Sequence, residues 1–300
     1  MKQMTCIIPA LMLGAAIVFT GCKPADQADA GGSAAPTKTT IQNKGSDTLV
    51  NVAQSWAEIY HDVQTDVDIE VSGGGSGVGI AALMKGTVDM ANASRNMKDS
   101  EREAVKKNTG KDAKEFTVGF DALAVFVHKD HPMEEITFEQ LEAIFAEGGN
   151  ITKWSQLGVK VPGCDSDEII RVSRQSSSGT YAFFREKVLS KKDFKLGSRD
   201  MNGSKEVVDL IAGTPCAIGY SGMGYAMEDV KMLKVAVKAG ETAYAPSVAN
   251  ALNKTYPVAR ALFIYTLGEP TGAVKDYLDW IVGPEGQKVV ADAGYVPLKK

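Results

Sequence analysis

The chain has 300 residues, of which 44% are hydrophobic and 23% are charged, and its formal net charge is −4. This length is sufficient for two modest folded domains. A negative net charge argues against nucleic acid or an acidic membrane surface as a partner, because both require a basic protein face. It does not exclude a small anion, which is bound by a few local donors.

The N-terminus has the features of an export signal. The apolar run from Ile7 to Phe19 is too short for a membrane-spanning helix. It ends just before Cys22, and the small residues in front of this cysteine resemble a bacterial lipobox, in which the cysteine is acylated and becomes the mature N-terminus. We therefore expect residues 1–21 to be a lipoprotein signal peptide, although a plain signal with an incidental cysteine is the alternative. Residues 22–38 lack aromatic and large aliphatic side chains and are expected to form a flexible tether.

The four cysteines divide according to this export signal. Cys6 would be removed with the signal and Cys22 would carry lipid, so Cys164 and Cys216 would remain in an oxidising compartment. The sequence leaves open whether these two form a disulfide, because it does not supply their geometry. The three histidines have no metal-ligand spacing, and we expect neither a metal nor a cofactor.

Segments with the patterns of strands and helices alternate from Thr39 to the C-terminus. Helices are predicted at 49–60, 80–84, 138–145, 272–282 and 286–293, and strands at 67–71, 123–127, 169–172 and 261–265. This alternation predicts an α/β fold with mostly parallel sheets.

Three turns of small residues each precede a predicted helix: Gly45–Thr48, Gly73–Gly77 and Ser176–Thr180. The first N–H groups of a helix are unpaired and carry a partial positive charge, so each turn can bind an anion. Any one of these turns has a plainer interpretation, because Ser, Asp and Thr are also common helix caps.

Two arginines strengthen the interpretation as an anion site. Arg174 lies four residues before Ser178, and Arg95 directly follows Ser94. A guanidinium presents paired donors that match the geometry of an oxyanion. Arg171 lies three strand positions from Arg174, on the opposite face, and is expected to be structural. The sequence lacks the spacing of a dinucleotide-binding loop, a P-loop or a nucleophile elbow.

The segment Arg174–Thr180 (RQSSSGT) resembles the R-x-x-x-S-G-T motif of the phosphate-binding protein of high-affinity phosphate ABC transporters. Other segments match that family in the same order: Gly45–Thr48, Gly73–Gly77, Asp89–Arg95, Ala217–Tyr220 and Gly283–Gly286. The resemblance covers nearly all of residues 39–300.

This resemblance implies a two-lobed periplasmic-binding-protein fold of type II, with phosphate in the cleft between the lobes. Lobe 1 is expected to comprise residues 39–121 and 259–300, and lobe 2 residues 122–258, with hinges near 120–121 and 258–259. The protein would be a monomeric, extracytoplasmic receptor that delivers inorganic phosphate to ABC transporter permease subunits. It would not be an enzyme, and it would meet a membrane only through its lipid anchor, facing the periplasm or the cell exterior. Carried over by position, the implied phosphate contacts are Ser46, Asp47, Thr48, Ser76, Ser94, Arg95, Arg174, Ser178, Gly179 and Thr180.

The chain departs from the better-known branch of this family at two of these positions. Asp47 stands where that branch has threonine, and Arg95 stands where it has aspartate. Asp47 is therefore the acidic residue left in the implied contact segments. A carboxylate there can accept the proton that phosphate carries near neutral pH, whereas sulfate carries none. The alternative is that Asp47 caps a helix beginning near Thr48.

The sequence leaves three rival functions open. The first is a receptor for another tetrahedral oxyanion, such as sulfate or molybdate. The second is an exported phosphate-ester hydrolase with Ser178 as its nucleophile. The third is a surface protein for sensing or adhesion that has lost its transport partners.

Overall fold

The computed structural model describes residues 38–298, and within them the chain forms ten strands and nine α-helices. The strands are β1 (Thr39–Gly45), β2 (Val67–Ser72), β3 (Met90–Ala93), β4 (Ala113–His128), β5 (Glu135–Thr137), β6 (Ile170–Arg174), β7 (Arg199–Met201), β8 (Ala217–Gly222), β9 (Val230–Ala236) and β10 (Ala259–Leu267). The helices are α1 (Val50–Val63), α2 (Ser76–Met84), α3 (Asp99–Thr109), α4 (Phe138–Phe145), α5 (Gly179–Lys187), α6 (Ser204–Ala212), α7 (Val248–Leu252), α8 (Gly272–Val282) and α9 (Pro284–Asp292). None of these helices combines the length and the apolar character needed to cross a membrane.

Local sequence signals explain where several helices begin and which face they bury. In α1 the buried residues Val52, Trp56 and Tyr60 recur every four positions, as an amphipathic helix requires. Helix α4 starts with a capping box, in which the Thr137 hydroxyl accepts from the Gln140 N–H at 3.2 Å and the Gln140 side chain accepts from the Thr137 N–H at 3.0 Å. Helix α9 starts at Pro284, a position where the missing N–H has no cost.

Strand β4 carries the chain from one half of the fold to the other, and the chain returns to the first half at the start of β10. From Ala113 to Ala122, β4 pairs with β10, which also pairs with β3; from Leu123 onward, β4 pairs with β8, and from Val125 also with β9. The remaining strands extend the sheet on either side, in the order β2-β1-β3 in the first half and β8-β6-β7 in the second, while β5 pairs with β9.

The prediction of mostly parallel sheets needs one correction. Pairing is parallel between β1 and β2, β1 and β3, β5 and β9, β6 and β7, and β6 and β8. Strands β4 and β10, however, are antiparallel to every strand with which they pair. The reason is that β4 leaves the first half and β10 returns to it, so the two run side by side in opposite directions.

Each half has its own hydrophobic core. One core contains Ile41, Trp56 and Leu278, and its members come from residues 41–118 and 262–295. Another contains Val125, Phe145 and Phe184, and its members come from residues 122–258. The boundary between the two sets of residues coincides with the place where β4 changes partners.

Cys164 and Cys216 are joined by a disulfide, with Cα atoms 5.1 Å apart. The sequence left this pairing open, and the fold supplies it by placing the 161–168 loop against the start of β8. Residues 1–37 and 299–300, which include the expected signal peptide, Cys22 and nearly all of the tether, lie outside the described residues.

Candidate functional site

The three turns singled out from the sequence follow strands of both halves. The turn Gly45–Thr48 lies at the end of β1, Gly73–Gly77 follows β2, and Ser176–Thr180 comes after β6. Ser94 follows β3, a parallel neighbour of β1. In open α/β sheets, ligands bind beyond the carboxyl ends of parallel strands. The contacts described below show that these ends meet at one cleft between the halves.

A cluster of buried serine hydroxyls forms the first part of the cleft. Ser46 Oγ donates to Ser94 Oγ at 2.8 Å, and the Ser94 backbone N–H donates to Ser76 Oγ at 3.0 Å. All three serines are at most 1% exposed. Gly179, from the other half, packs against them so closely that a Cβ atom there would lie 2.2 Å from Ser76 Oγ and 2.6 Å from Ser94 Oγ. This approach of α5 to the serines requires glycine at position 179.

A second group joins hydroxyls from the two halves. Thr48 Oγ1 and Thr180 Oγ1 are 2.9 Å apart, and Arg260 Nη2 donates to them at 3.2 and 3.0 Å. Arg260 also pairs with Asp121, with Nη2 2.8 Å from Asp121 Oδ2. The side chains of Arg260 and Asp121 are 2% and 0% exposed, so this ion pair is buried.

Arg174 forms another buried ion pair, between the halves. Its Nη2 donates to Asp47 Oδ2 at 2.6 Å, and Asp47 Oδ1 accepts from the Gly74 N–H at 2.7 Å. Its Nη1 donates to Ser204 Oγ at 2.8 Å, and the carbonyls of Met201 and Asn202 accept from Nε and Nη2. Burial lowers the pKa of the Arg174 guanidinium and the Asp47 carboxylate opposes that shift. Arginine stays cationic in proteins, so Arg174 and Asp47 face each other as an ion pair.

The glycine-rich turn after β2 contacts the turn after β6. The Gly77 N–H donates to the Ser177 carbonyl at 2.9 Å, and Ser177 Oγ donates to the Gly74 carbonyl at 3.1 Å. Gly75 has a φ of 98°, in the left-handed region, and a Cβ there would lie 2.6 Å from the Ser177 carbonyl oxygen. The two halves are therefore in direct contact on this side of the cleft.

Two helices begin at the cleft and add donor groups to it. Helix α2 starts at Ser76, and helix α5 starts at Gly179. Ser178 caps α5, because its Oγ accepts from the N–H groups of Thr180 and Tyr181 at 3.1 and 3.3 Å. The partial positive charge of a helix N-terminus favours an anion at such a position.

Two tyrosines donate hydrogen bonds to backbone carbonyls of the turn after β1. Tyr225 Oη donates to the Asp47 carbonyl and Tyr295 Oη to the Thr48 carbonyl, each at 2.5 Å. Burial raises the pKa of Tyr225 to about 12, so its hydroxyl keeps its proton at neutral pH. The turn is thus fixed, with the Thr48 hydroxyl directed at Thr180 of the other half. Together, the cleft offers many hydroxyl and N–H donors and two guanidinium groups, which suits an anion with several oxygens. Residues 38–298 contain no group of His, Cys, Asp and Glu side chains that could hold a metal ion.

Comparison with known proteins identifies the family of this chain. The model of the PBP superfamily domain matches residues 30–285. The phosphate-binding protein PstS of Pseudomonas aeruginosa is 35% identical over 269 residues, which cover 86% of this chain and 83% of that protein. This chain belongs to the PBP superfamily and, within it, to the PstS family. PstS of Bacillus subtilis is 29% identical, over 96% of this chain and 90% of that protein.

Solved structures agree with this assignment. A substrate-binding protein of Clostridium perfringens with bound phosphate has a TM-score of 0.75 and 30% identity, covering 87% of this chain and 100% of that chain. An ABC-type phosphate transport receptor of Vibrio cholerae has a TM-score of 0.67 and 26% identity, covering 86% of this chain and 100% of that chain. The prediction of a two-lobed periplasmic-binding-protein fold is confirmed.

The structure brings nine of the ten implied contact residues of this PstS-family chain to the cleft or its walls: Ser46, Asp47, Thr48, Ser76, Ser94, Arg174, Ser178, Gly179 and Thr180. Arg95 is the exception. Its Nη1 and Nη2 atoms each donate to a carboxylate oxygen of Glu101 at 2.8 Å. Glu101 lies in the first turn of α3, close enough in sequence to engage the guanidinium. Both terminal nitrogens of Arg95 are thus engaged by Glu101, and its role as an anion contact stays a prediction.

The alternative role of Asp47 as a helix cap is corrected. Helix α1 begins at Val50, its N-cap residue is Leu49, and no side chain caps it. The Asp47 carboxylate instead reaches Gly74 and Arg174. Arg171 lies away from these contacts and donates to the Leu196 carbonyl at 3.0 Å.

Sequence reasoning missed two features of the cleft. Asp121 lies in one expected hinge and Arg260 directly follows the other, and only the pairing of β4 with β10 places them opposite each other. Ser177 was present in the quoted motif, but its role depends on contacts with the glycine-rich turn. Charged residues at the start of a long apolar strand were the available signal for Arg260.

Proposed function

We propose that this protein captures inorganic phosphate in the cleft and delivers it to the permease of an ABC transporter. The observation that carries the proposal is the set of buried donors from both halves, which converge where Gly179 packs against Ser76 and Ser94. Membership in the PstS family supports phosphate as the anion, because its relatives are named for phosphate binding.

The proposed contacts are the hydroxyl and backbone groups of Ser46, Thr48, Ser76, Ser94, Ser178, Gly179 and Thr180, together with the charged groups of Asp47 and Arg174. Of the five N–H donors of Arg174, four are used by Asp47, Asn202, Ser204 and Met201. One donor on Nη1 is therefore left for a ligand oxygen. Asp47 accepts one hydrogen bond on each oxygen, so it retains a lone pair for the phosphate proton.

The proposed lobes are residues 39–121 with 259–300, and residues 122–258. Their boundaries coincide with the change of partners in β4 at Ala122 and Leu123. The chain crosses between the lobes within β4 and again just before β10, so bending at residues 120–121 and 258–259 would open and close the cleft around the ligand.

Calorimetric titration with phosphate, arsenate, sulfate and molybdate tests the proposal. We expect tight binding of phosphate and arsenate, which share a protonated tetrahedral form, and weak binding of sulfate and molybdate. Preferential binding of sulfate or molybdate would replace phosphate with another oxyanion.

The rival function of a phosphate-ester hydrolase depends on Ser178 as a nucleophile. In the structure Ser178 Oγ accepts two helix N–H groups, as a cap does, and among residues 38–298 no histidine or carboxylate is hydrogen-bonded to it. A phosphatase assay beside the titration separates the two functions. Turnover without tight phosphate binding would favour the hydrolase.

We further propose that the protein is exported, monomeric and anchored through a lipid on Cys22, facing the periplasm or the cell exterior. The support is the sequence pattern before Cys22. Mass spectrometry of the mature N-terminus tests the anchor, since acylation adds the mass of the lipid to a peptide that begins at Cys22. An unmodified N-terminus elsewhere contradicts it, and light scattering of the purified protein tests the monomer.

A further inference from the structure

The guanidinium of Arg260 contacts both halves of the chain beneath the cleft. Its Nη2 atom lies 3.2 Å from Thr48 Oγ1 in the first half and 3.0 Å from Thr180 Oγ1 in the second. Its Nη1 atom donates to the carbonyl of Ser94, also in the first half, at 3.1 Å. One buried side chain thus connects the threonine pair and the serine cluster.

The position of this guanidinium is fixed by the crossing strands. Arg260 in β10 lies directly opposite Asp121 in β4, and Asp121 Oδ2 accepts from Nε at 3.1 Å and from Nη2 at 2.8 Å. The other Asp121 oxygen accepts from the Met223 N–H at 3.1 Å. The guanidinium carbon lies over the Phe183 ring, 5.5 Å from the ring centroid. Arg260 is therefore held by a strand pair, a carboxylate and an aromatic ring.

A count of hydrogens shows what Arg260 imposes on the threonines. A guanidinium can only donate, and one of the two Nη2 hydrogens is directed at Asp121 Oδ2, so the two threonine oxygens share the other hydrogen as acceptors. The two oxygens are 2.9 Å apart, and one hydroxyl hydrogen occupies the space between them. Within residues 38–298 neither hydroxyl has a further hydrogen-bond partner. The second hydroxyl hydrogen is consequently left for an acceptor outside this group.

We propose that Arg260 is a positioning residue for the anion: it holds the Thr48 and Thr180 hydroxyls together across the two halves, so that the pair presents one hydroxyl hydrogen to the ligand. This inference rests on the proposed function of phosphate capture. It adds a direction to the site, because the threonine pair presents a donor and therefore receives an unprotonated phosphate oxygen. The protonated oxygen then faces the Asp47 carboxylate.

The variant Arg260→Lys tests the inference. Lysine keeps the charge beside Asp121, but a point charge on a flexible stem cannot reproduce the planar donors that reach both threonines. Hydrogen bonds from charged groups contribute enough that we expect phosphate affinity to fall roughly 10- to 150-fold by calorimetry. Tyr256→Phe is the matched control, because it removes a buried hydrogen bond to the Leu123 carbonyl beside the same hinge. We expect it to lower the unfolding midpoint and to leave phosphate affinity unchanged.

A double-mutant cycle distinguishes positioning from a merely structural role. If Arg260 acts through Thr180, then Thr180→Val combined with Arg260→Lys loses little more affinity than the worse single variant. Losses that multiply overturn the inference. So does an Arg260→Lys protein that binds phosphate within threefold of the wild type. If Arg260→Lys does not fold, the neutral pair Arg260→Gln with Asp121→Asn takes its place, with the same expected loss. A wild-type protein that does not bind phosphate at all contradicts the proposed function instead, so the two failures are distinguishable.

Discussion

The ion pair between Asp47 and Arg174 allows a sharp test of how the cleft recognises its anion. We expect Asp47→Asn to weaken phosphate binding and to narrow the preference for phosphate over sulfate. Asn keeps an oxygen that can accept from the Gly74 N–H, so the turn after β1 retains its main hydrogen bond. What it loses is the negative charge beside Arg174 and the ability to repel a fully deprotonated anion.

The size of the effect follows from the burial of the pair. The Arg174 and Asp47 side chains are 1% and 12% exposed, and their closest atoms are 2.6 Å apart. Removing one partner of a buried, hydrogen-bonded charge pair costs about 2–5 kcal/mol. Because Asn retains a neutral hydrogen bond, we expect the lower end, about 2 kcal/mol, which is roughly a 30-fold loss of phosphate affinity. Sulfate should lose less, since the substitution also removes a carboxylate that faces its bare oxygens.

The matched control is Arg174→Gln, which breaks the same ion pair from the other side. It leaves the Asp47 carboxylate in place, so phosphate and sulfate affinities should fall by similar factors. Parallel titrations of both variants with both anions, at a pH near 7, give the comparison. If Asp47→Asn lowers the phosphate and sulfate affinities equally, Asp47 serves only to pair with Arg174, and the acceptor of the phosphate proton is another group.

Three further predictions concern closure, covalent stability and pH. Gly179→Ala should leave the fold intact but lower phosphate affinity, measured by calorimetry, roughly 5- to 150-fold, because its Cβ would overlap Ser76 Oγ. The control is Gly213→Ala, whose Cβ would meet nothing nearer than 3.8 Å and which should leave phosphate affinity unchanged. Replacing both Cys164 and Cys216 by Ser opens a loop with a sequence separation of 52. Denaturant unfolding should then show a loss of about 2–4 kcal/mol, while an altered phosphate affinity would contradict the view that this loop is separate from the cleft. Burial, with nearby Lys231 and His128, lowers the pKa of His131 from 6.5 to about 4. Between these pH values the unfolded chain therefore binds more protons than the folded one, and the free energy of unfolding should fall by about 1–3 kcal/mol as the pH drops from 6.5 to 4. The substitution His131→Asn should remove this pH dependence.

Local patterns were sufficient to predict most of the elements. The period of Val52, Trp56 and Tyr60 gave α1, and the unbroken apolar run of residues 123–127 gave the buried part of β4. Residues 272–282 were placed correctly because both ends carry strong signals, a glycine at the start and the Gly-Pro pair after the end. These patterns could not predict whether two paired strands run parallel or antiparallel. Antiparallel pairing of β4 with β10 joins positions more than a hundred residues apart, and no local period encodes it.

In the candidate site, too, local sequence predicted some features, whereas others depend on contacts between distant segments. Hydroxyls at helix starts could be predicted, because Ser76, Ser178 and Thr180 lie at chain positions where N–H groups are unpaired. The partners of charged side chains could not. Arg95 has the same donor geometry as Arg174, but Glu101 lies six residues away on the next helix and engages it. Arg260 carries no motif, and its role follows only from its position opposite Asp121 in a neighbouring strand.

The charges of the cleft explain how a protein with a net negative charge can hold an anion. Arg174 and Arg260 are each paired with a carboxylate, Asp47 and Asp121, so the two ion pairs together contribute no net charge. The attraction for an anion must then come mainly from oriented dipoles, which are the hydroxyls of the serine cluster, the threonine pair and the N-termini of α2 and α5. Each buried charge pair also joins groups that hold those dipoles: Arg174 reaches the turn after β1, and Arg260 reaches Thr48 and Thr180. Because dipoles that are fixed before binding need no reorganisation, the paired charges contribute by keeping the donors in place. Since the Asp47–Arg174 pair and the threonine pair each join the two halves of the chain, contact between the halves is what keeps the complete set of donors together.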